Sequence, residues 1–401
     1  MGVLSIVLQL ILSLSILVVL HECGHFFPAK WFKTRVEKFY LFFNPYFSLF
    51  KIQKGETEYG IGWVPFGGYV KISGMIDESM DKEQMALPPQ PWEFRSKPAW
   101  QRLIIMLGGV TVNIIVGMII YICIFYFVGQ KIVTNEQLPN GFEVSQTFKE
   151  LGFKNGDQVL KLNEEEFENL NDLNRFLFLR DVNSLTVKHP DGNTETLSVP
   201  EDIGMTMFKA GELQPFQPVR STMLDTIIEN LPAQKAGLLK GDQVLSINGV
   251  EITNWADMSD LVKKNPGNEI IIQVARAGAV ETFNLTPTEN GTIGINNFGT
   301  EYQNAYKEVK YSFFESLGGG INYGYNILTD YVKQFKYVFT SKGASQVGGF
   351  GAIANLFPGT WSWIDFWHTT ALISIILAFV IPNQPFRPYL LLFRPCQDDE
   401  W

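Results

Sequence analysis

Two histidines and a glutamate stand together in His21-Glu22-Cys23-Gly24-His25. On a helix, residues four apart project from one face, so His21 and His25 can bind one divalent metal while Glu22 takes a proton from water. That is the spacing of zinc-dependent peptide hydrolysis; the plain alternative is two surface histidines on an ordinary helix. Position separates the readings. The chain has only 4 histidines, and the motif closes an apolar run that starts at Met1. Ionisable groups at membrane depth cost roughly 3 kcal/mol and mark function where they occur. His21 and His25 are therefore expected as metal ligands, zinc as the cofactor and Glu22 as the catalytic base.

The elements that must hold these residues are apolar. Residues 1–20, MGVLSIVLQLILSLSILVVL, carry no charged side chain and suffice to cross roughly 30 Å of hydrocarbon as a helix. A secretory signal would show a basic start and a small-residue cleavage site; neither precedes His21, so 1–25 is expected as a retained first transmembrane helix. A second apolar run predicts a transmembrane helix over 103–128 with one polar side chain of note, Asn113. Gly108, Gly109 and Gly117 on it would let another helix approach closely. A third, shorter run covers 366–382. Lys and Arg crowd the segment between the first two spans and none precedes the first. The positive-inside rule therefore places 26–102 in the cytoplasm and the N-terminus and 130–365 outside.

Composition agrees with a chain shared between lipid and water. Hydrophobic residues make up 46% and charged residues 18%, against roughly 25% charged in soluble domains. A net charge of −9 leaves no basic footprint for nucleic acid, which excludes that class of partner. Cys23, Cys123 and Cys396 are odd in number and far apart, so they imply neither a disulfide framework nor a cysteine zinc knuckle.

The exterior segment repeats itself. Residues 148–177 align with 233–262 at an offset of 85, sharing Gly-Asp-Gln-Val-Leu and then an Asn. Each copy predicts a Gly-Asp turn, a strand (159–162; 244–247) and an amphipathic helix carrying Leu170, Leu173, Phe176 and Leu177, or Trp255, Met258, Leu261 and Val262. The pattern resembles PDZ domains of the bacterial protease type, which cradle peptide ends; a structural spacer is the plainer reading. The expected bounds are 130–210 and 211–290, with 291–365 as a linker and amphipathic segment. Nearer the motif, YGIGWVPFGGYVKISGM (59–75) alternates apolar residues with glycines and carries turn signals at Pro65 and Gly67-Gly68. It predicts a strand hairpin, whose edge beside a metal site could hold a substrate by strand addition.

The order of these motifs, His21-Glu22-Cys23-Gly24-His25, then VPFGGYVKISGM, then FRSKPAWQRLIIMLGGVTVN, then tandem repeats, resembles the site-2 protease family of intramembrane metalloproteases, in particular the bacterial regulator-of-sigma-E type. The resemblance implies a multi-pass α-helical membrane protein with a membrane-associated β-hairpin region and two α+β PDZ-like domains, in the bacterial inner membrane with the PDZ domains outside. It implies Zn2+ on His21 and His25, Glu22 as base, and Gly67, Gly68 and Asn113 near the substrate. The implied substrate is a single-span membrane protein such as an anti-sigma factor. The family adds an aspartate in a Leu-Asp-Gly turn after the third span. Here the chain instead reads VIPNQPFRPYLLLFRPCQDDEW, so 383–401 is read as an aberrant tail arising from a frameshift or truncation near residue 380. The site is then expected to lack its third ligand and the activity to be impaired; the alternative is an inactive scaffold that binds peptide ends.

Overall fold

Leu, Ile and Val, with no charged residue before His21, carry Gly2–Trp31 as one helix, α1, past Pro28. Its buried residues, Gln9, Leu10, Ser13, Leu14, Leu17, His21 and Gly24, recur every three or four positions and form one stripe. The computed structural model describes residues 2–75, 88–297, 305–338, 340 and 353–380. It divides into two units, Met1–Gly129 with Lys310–Trp401, and Gln130–Val309.

After α1 come four strands, β1 (Val36–Phe43), β2 (Phe50–Lys54), β3 (Thr57–Ile61) and β4 (Val64–Ile72), in one sheet of order β2-β3-β1-β4. The hairpin expected over 59–75 is not formed. β3 runs parallel to β1, and β4 pairs antiparallel with the other side of β1, so β1 lies between the two strands that the hairpin would have joined. Pro65, Gly67 and Gly68, taken from sequence as turn residues, lie inside β4. Proline is tolerated there because β4 is an edge strand, where a missing N–H breaks no ladder. The glycines serve close approach. A Cβ on Gly68 would stand 2.8 Å from Val18 of α1, and one on Gly67, whose φ is +153°, would stand 2.6 Å from the Phe43 ring. Gly68 thus lets β4 lie against the helix that bears the histidines, and Gly67 makes room for Phe43 of β1. Helix α2 (Ala99–Phe127) follows, its first turn entered through Pro98. Both α1 and α2 are long and apolar enough to cross a membrane.

In the second unit, β5 (Gln130–Ile132), β6 (Phe142–Val144), β7 (Gln158–Leu162), β8 (Glu165–Glu166), helix α3 (Leu173–Leu179), β9 (Ser184–Lys188), β10 (Thr194–Ser198), helix α4 (Ile203–Ala210) and β11 (Phe216–Pro218) make the first repeat. The second contains β12 (Thr226–Ile227), β13 (Gln243–Ile247), β14 (Val250–Glu251), helix α5 (Trp255–Lys263), β15 (Ile270–Arg276), β16 (Ala279–Leu285) and β17 (Ile295–Asn296). Sheet orders correspond, β10-β9-β7-β8 and β14-β13-β15-β16. β11 pairs with β6, so 216–218 closes the first repeat. β18 (Lys307–Val309) returns to β5. The helix residues expected inside are there: Leu170, Leu173 and Leu177 in one core, Trp255, Met258 and Val262 in the other.

The shared Gly-Asp turn has a shared reason. Gly156 and Gly241 take φ near +90°, a conformation that costs glycine little, and each following Asp is buried. Asp157 accepts from the Lys154 N–H at 2.9 Å and Asp242 from the Leu239 N–H at 2.8 Å. A buried carboxylate needs a cation. In the first repeat it is His189, whose Nδ1 lies 2.6 Å from Asp157 and Nε2 3.2 Å from Glu195. In the second it is Arg276, 2.6 Å from Asp242 and 2.8 Å from Glu281.

Two further helices belong to the first unit. In α6 (Phe313–Val338), Ser312 and Glu315 form a reciprocal cap. Glycines bring α6 against α2: a Cβ on Gly320 would meet the Ile122 backbone at 2.6 Å. The third expected span is helix α7 (Trp363–Val380), somewhat shorter than the roughly 20 residues of a full crossing; residues 381 and 382 lie outside the described residues. Gly117 meets Ile375 and the Ala371 carbonyl of α7.

The two cations give the repeats different responses to pH. The hydrogen bond that His189 donates to Asp157, with that to Glu195, raises its pKa above the ordinary value, against burial and the Lys154 charge; Asp191 is the other charge nearby. A folded pKa above the unfolded value of about 6.5 stabilises fully below that value and is lost as pH rises through the folded one. Hydrogen exchange at Val159 and Val187 should therefore show the first repeat losing protection as pH rises above about 6.5, and His189→Gln should remove that dependence. Val244 and Val274, beside Arg276, should show none; equal responses in both repeats would contradict the assignment.

Candidate metal centre

The two imidazoles converge. His25 Nε2 lies 3.2 Å from His21 Nε2, with the rings nearly perpendicular at an interplanar angle of 79°. Two nitrogens each about 2.05 Å from one tetrahedral zinc stand about 3.3 Å apart. The pair therefore has the separation that a shared zinc requires.

Both rings are oriented from α2. The His25 Nδ1–H donates to the Ile105 carbonyl at 2.7 Å, which fixes the tautomer and leaves the Nε2 lone pair for a metal. His21, buried, has its Nδ1 3.1 Å from Asn113 Nδ2, while the fully buried Asn113 Oδ1 has no hydrogen-bond partner among the described residues. A half-turn of that amide puts Oδ1 on Nδ1. His21 would then donate through Nδ1 and present Nε2 as a lone pair, and the orphaned oxygen would be satisfied. That form is the one in which His21 Nε2 would hold a metal.

The space between the nitrogens is kept open by Gly109. A Cβ there would stand 2.5 Å from His25 Nε2 and 2.6 Å from His21 Nε2, so any side chain would crowd both nitrogens. The approach is set one residue earlier. A Cβ on Gly24 would meet the Gly109 Cα at 2.8 Å, and one on Gly108 would fall on the Gly24 carbonyl. Pro28 has no N–H to offer the carbonyl four residues back, which is Gly24's. That carbonyl is the one that faces α2.

Glu22, half-buried, follows His21 on α1. Among the described residues no third His, Cys, Asp or Glu joins the two histidines; Asp398 and Asp399 lie outside the described residues. The structure brings His21, His25 and Asn113 together, but Asn113 bonds a histidine, which the sequence did not suggest. Gly67 and Gly68 lie in the strand packed on α1. The Ile105 carbonyl was missed because a main-chain group leaves no trace in sequence. Gly24, inside the motif and opposite Gly108-Gly109, was a signal that could have been read.

Comparison with known proteins agrees with this centre. The model of peptidase family M50 matches residues 9–382. The chain belongs to peptidase family M50. A Vibrio cholerae protein whose name places it among the zinc metalloproteases is 27% identical over 92% of this chain and 85% of its own length. The Haemophilus influenzae regulator of sigma E protease is 28% identical over 78% and 71%, and Escherichia coli RseP, a regulator of sigma-E protease, 26% identical over 75% and 68%. As an M50 peptidase the chain is a zinc metalloprotease of the site-2 type, and the two nitrogens at 3.2 Å, with the cradle at Gly109, fit the metal.

Two substitutions test the centre without an activity assay. Gly109→Ala should lower zinc affinity at least tenfold, read by competition with a chelating dye, whereas Gly318→Ala, where a Cβ meets nothing within 4 Å among the described residues, should leave it unchanged. Asn113→Leu should cost about 10–100-fold, the usual effect of removing a ligand's orienting partner. An unaltered affinity in Gly109→Ala would show that zinc does not sit between these nitrogens.

Proposed function

We propose that this M50 peptidase is a membrane-embedded zinc endopeptidase that cuts a membrane-spanning protein, such as an anti-sigma factor, in the inner membrane of a bacterium. The observation that carries the proposal is the pair of Nε2 atoms 3.2 Å apart on a helix long and apolar enough to cross a membrane. Two relatives are named regulators of sigma E protease, which supports an anti-sigma factor as the substrate class.

His21 and His25 would hold zinc, and Asn113 and the Ile105 carbonyl would keep their rings turned to it. When bound, zinc supplies Lewis acidity and brings the pKa of water down to roughly 7. Glu22 takes the proton from the attacking water and passes it to the departing amide nitrogen. Among the described residues no strand pairs with the outer edge of β4, which lies against α1. An unwound substrate segment adds there in extended form, so that its backbone is held beside the histidines. Residues 26–102 face the cytoplasm by their Lys and Arg content, and the two repeats, PDZ-like domains in this reading, take peptide ends on the outer side.

A second reading has support of its own. A catalytic zinc site normally has three protein ligands, and the described residues give two. On that reading the chain is impaired, or is a scaffold that binds without cutting.

A single assay separates these. The full chain in detergent, incubated with a model single-span substrate and zinc, should cleave it, and Glu22→Gln should lower the rate by at least about 10²-fold with zinc affinity unchanged. Cleavage indifferent to Glu22→Gln would overturn the catalytic assignment. Substrate binding with no cleavage by the unaltered chain would establish the scaffold.

A further inference from the structure

The two repeats differ at the edge where a peptide strand would add. In the first, the Ser145 N–H donates to the Pro215 carbonyl at 2.8 Å and the Val219 N–H to the Gly141 carbonyl at 3.0 Å, with Gln217 opposite Glu143. Alternate residues of an antiparallel strand turn their backbone groups to opposite sides. Residues 215, 217 and 219 face β6, so the N–H and C=O of Phe216 face outward.

Both of those groups are taken by one side chain. Asn174 of α3 donates from Nδ2 to the Phe216 carbonyl at 2.8 Å, and its Oδ1 accepts the Phe216 N–H at 3.1 Å. A side-chain amide bonded in this way occupies the place of a neighbouring strand. The next outward residue, Pro218, has no N–H, a common means of blocking a sheet edge. Phe216 is fixed on its other side too, its ring packed edge-to-face on Phe142, Phe148 and Phe153.

The second repeat is built differently at the same place. The Asp225 N–H donates to the Asn296 carbonyl at 3.0 Å and the Ile228 N–H to the Gly294 carbonyl at 2.8 Å. Ile295 is thus the outward residue, the counterpart of Phe216. Ser259 of α5 stands 85 positions after Asn174 and, among the described residues, makes no such bridge. Asn297, which carries an N–H, stands where the first repeat has Pro218.

We propose that Asn174 is a latch that closes the first repeat to an extended peptide, so that strand addition is confined to the β17 edge of the second. The proposal rests on the reading of the repeats as peptide-binding modules. The second edge takes a peptide by main-chain hydrogen bonds to Ile295, alongside α5. The first does so only when the Asn174 amide is displaced.

The test uses the full chain in detergent and a randomised decapeptide pool carrying a benzophenone, with crosslinks located by mass spectrometry. The unaltered chain should be labelled on α5 and β17 and not on α3 and β11. Asn174→Ala should add labelling of α3 and β11 at least tenfold over background. It should speed hydrogen exchange of the Phe216 amide at least tenfold and leave the Val187 amide unchanged, which shows that the repeat is still folded. Asn174→Asp, which can accept but not donate, should fall between. Equal labelling of both repeats in the unaltered chain would overturn the latch, as would Asn174→Ala that frees the Phe216 amide without new labelling. Labelling of neither repeat in any variant would instead overturn the peptide-binding reading beneath it.

Discussion

The metal centre depends on one contact, the backbone-to-backbone crossing of α1 and α2 at Gly24 and Gly108. Helices with side chains between them sit about 8–10 Å apart, and at that distance neither the Ile105 carbonyl nor the Asn113 amide would reach a histidine on the other helix. With hydrogen atoms alone at Gly24 and Gly108, and nothing at Gly109, both do. Pro28 contributes by leaving the Gly24 carbonyl without its helical donor, so an otherwise committed oxygen faces α2. Glycine, usually a weak helix former, is here the residue that allows the chemistry.

The apolar packing of α1, α2 and α7 encloses a few polar groups, and these are assigned in a definite order. Thr370 Oγ1 bonds Ser13 Oγ at 3.0 Å, and Ser374 Oγ donates to the main-chain oxygen of Asn113 at 2.7 Å. Such interhelical bonds are worth only about 0.6 kcal/mol on average, so their value lies more in register than in stability. Ser374 uses the main chain of Asn113, which leaves the Asn113 side chain to His21. Gly117 against Ile375 and Ala371 sets the same register by shape. Orientation of the first ligand is thus connected to the packing of α7 as well as to α2.

What could be read from sequence followed the range of the interactions. The metal motif, the apolar helices and the repeat are local patterns, and His21 with His25, α1 with α2, and the paired Gly-Asp turns all lie where the sequence puts them. The sheet was misread because its pairing is not local. β1 separates β3 from β4, and Pro65 and Gly67-Gly68 look like a turn until the edge position of β4 is seen to tolerate the proline and α1 and Phe43 to require the glycines. Asn113 was noticed, but its bond to His21 was not foreseen, since that histidine is 92 residues away in sequence. The edge closure by Asn174 was invisible for the same reason: its two bonds reach across 42 residues to main-chain atoms.

The repeats show how a duplicated framework keeps its fold while its sites diverge. Each retains the elements that fold it: a positive-φ glycine, a buried Asp accepting a main-chain N–H, and a core helix three or four residues periodic. A buried carboxylate without a cation would cost about 3–5 kcal/mol, so each Asp keeps one, but the requirement is for charge and not for a residue type. His189 and Arg276 both satisfy it, and only one of them can lose its proton near neutral pH. The same tolerance applies at the strand edges, where Phe216 and Ile295 hold equivalent places and, among the described residues, only the first is bonded by a side chain. Positions that satisfy the core are constrained, whereas those that face outward are free to differ, which is why two copies of one fold need not share one function.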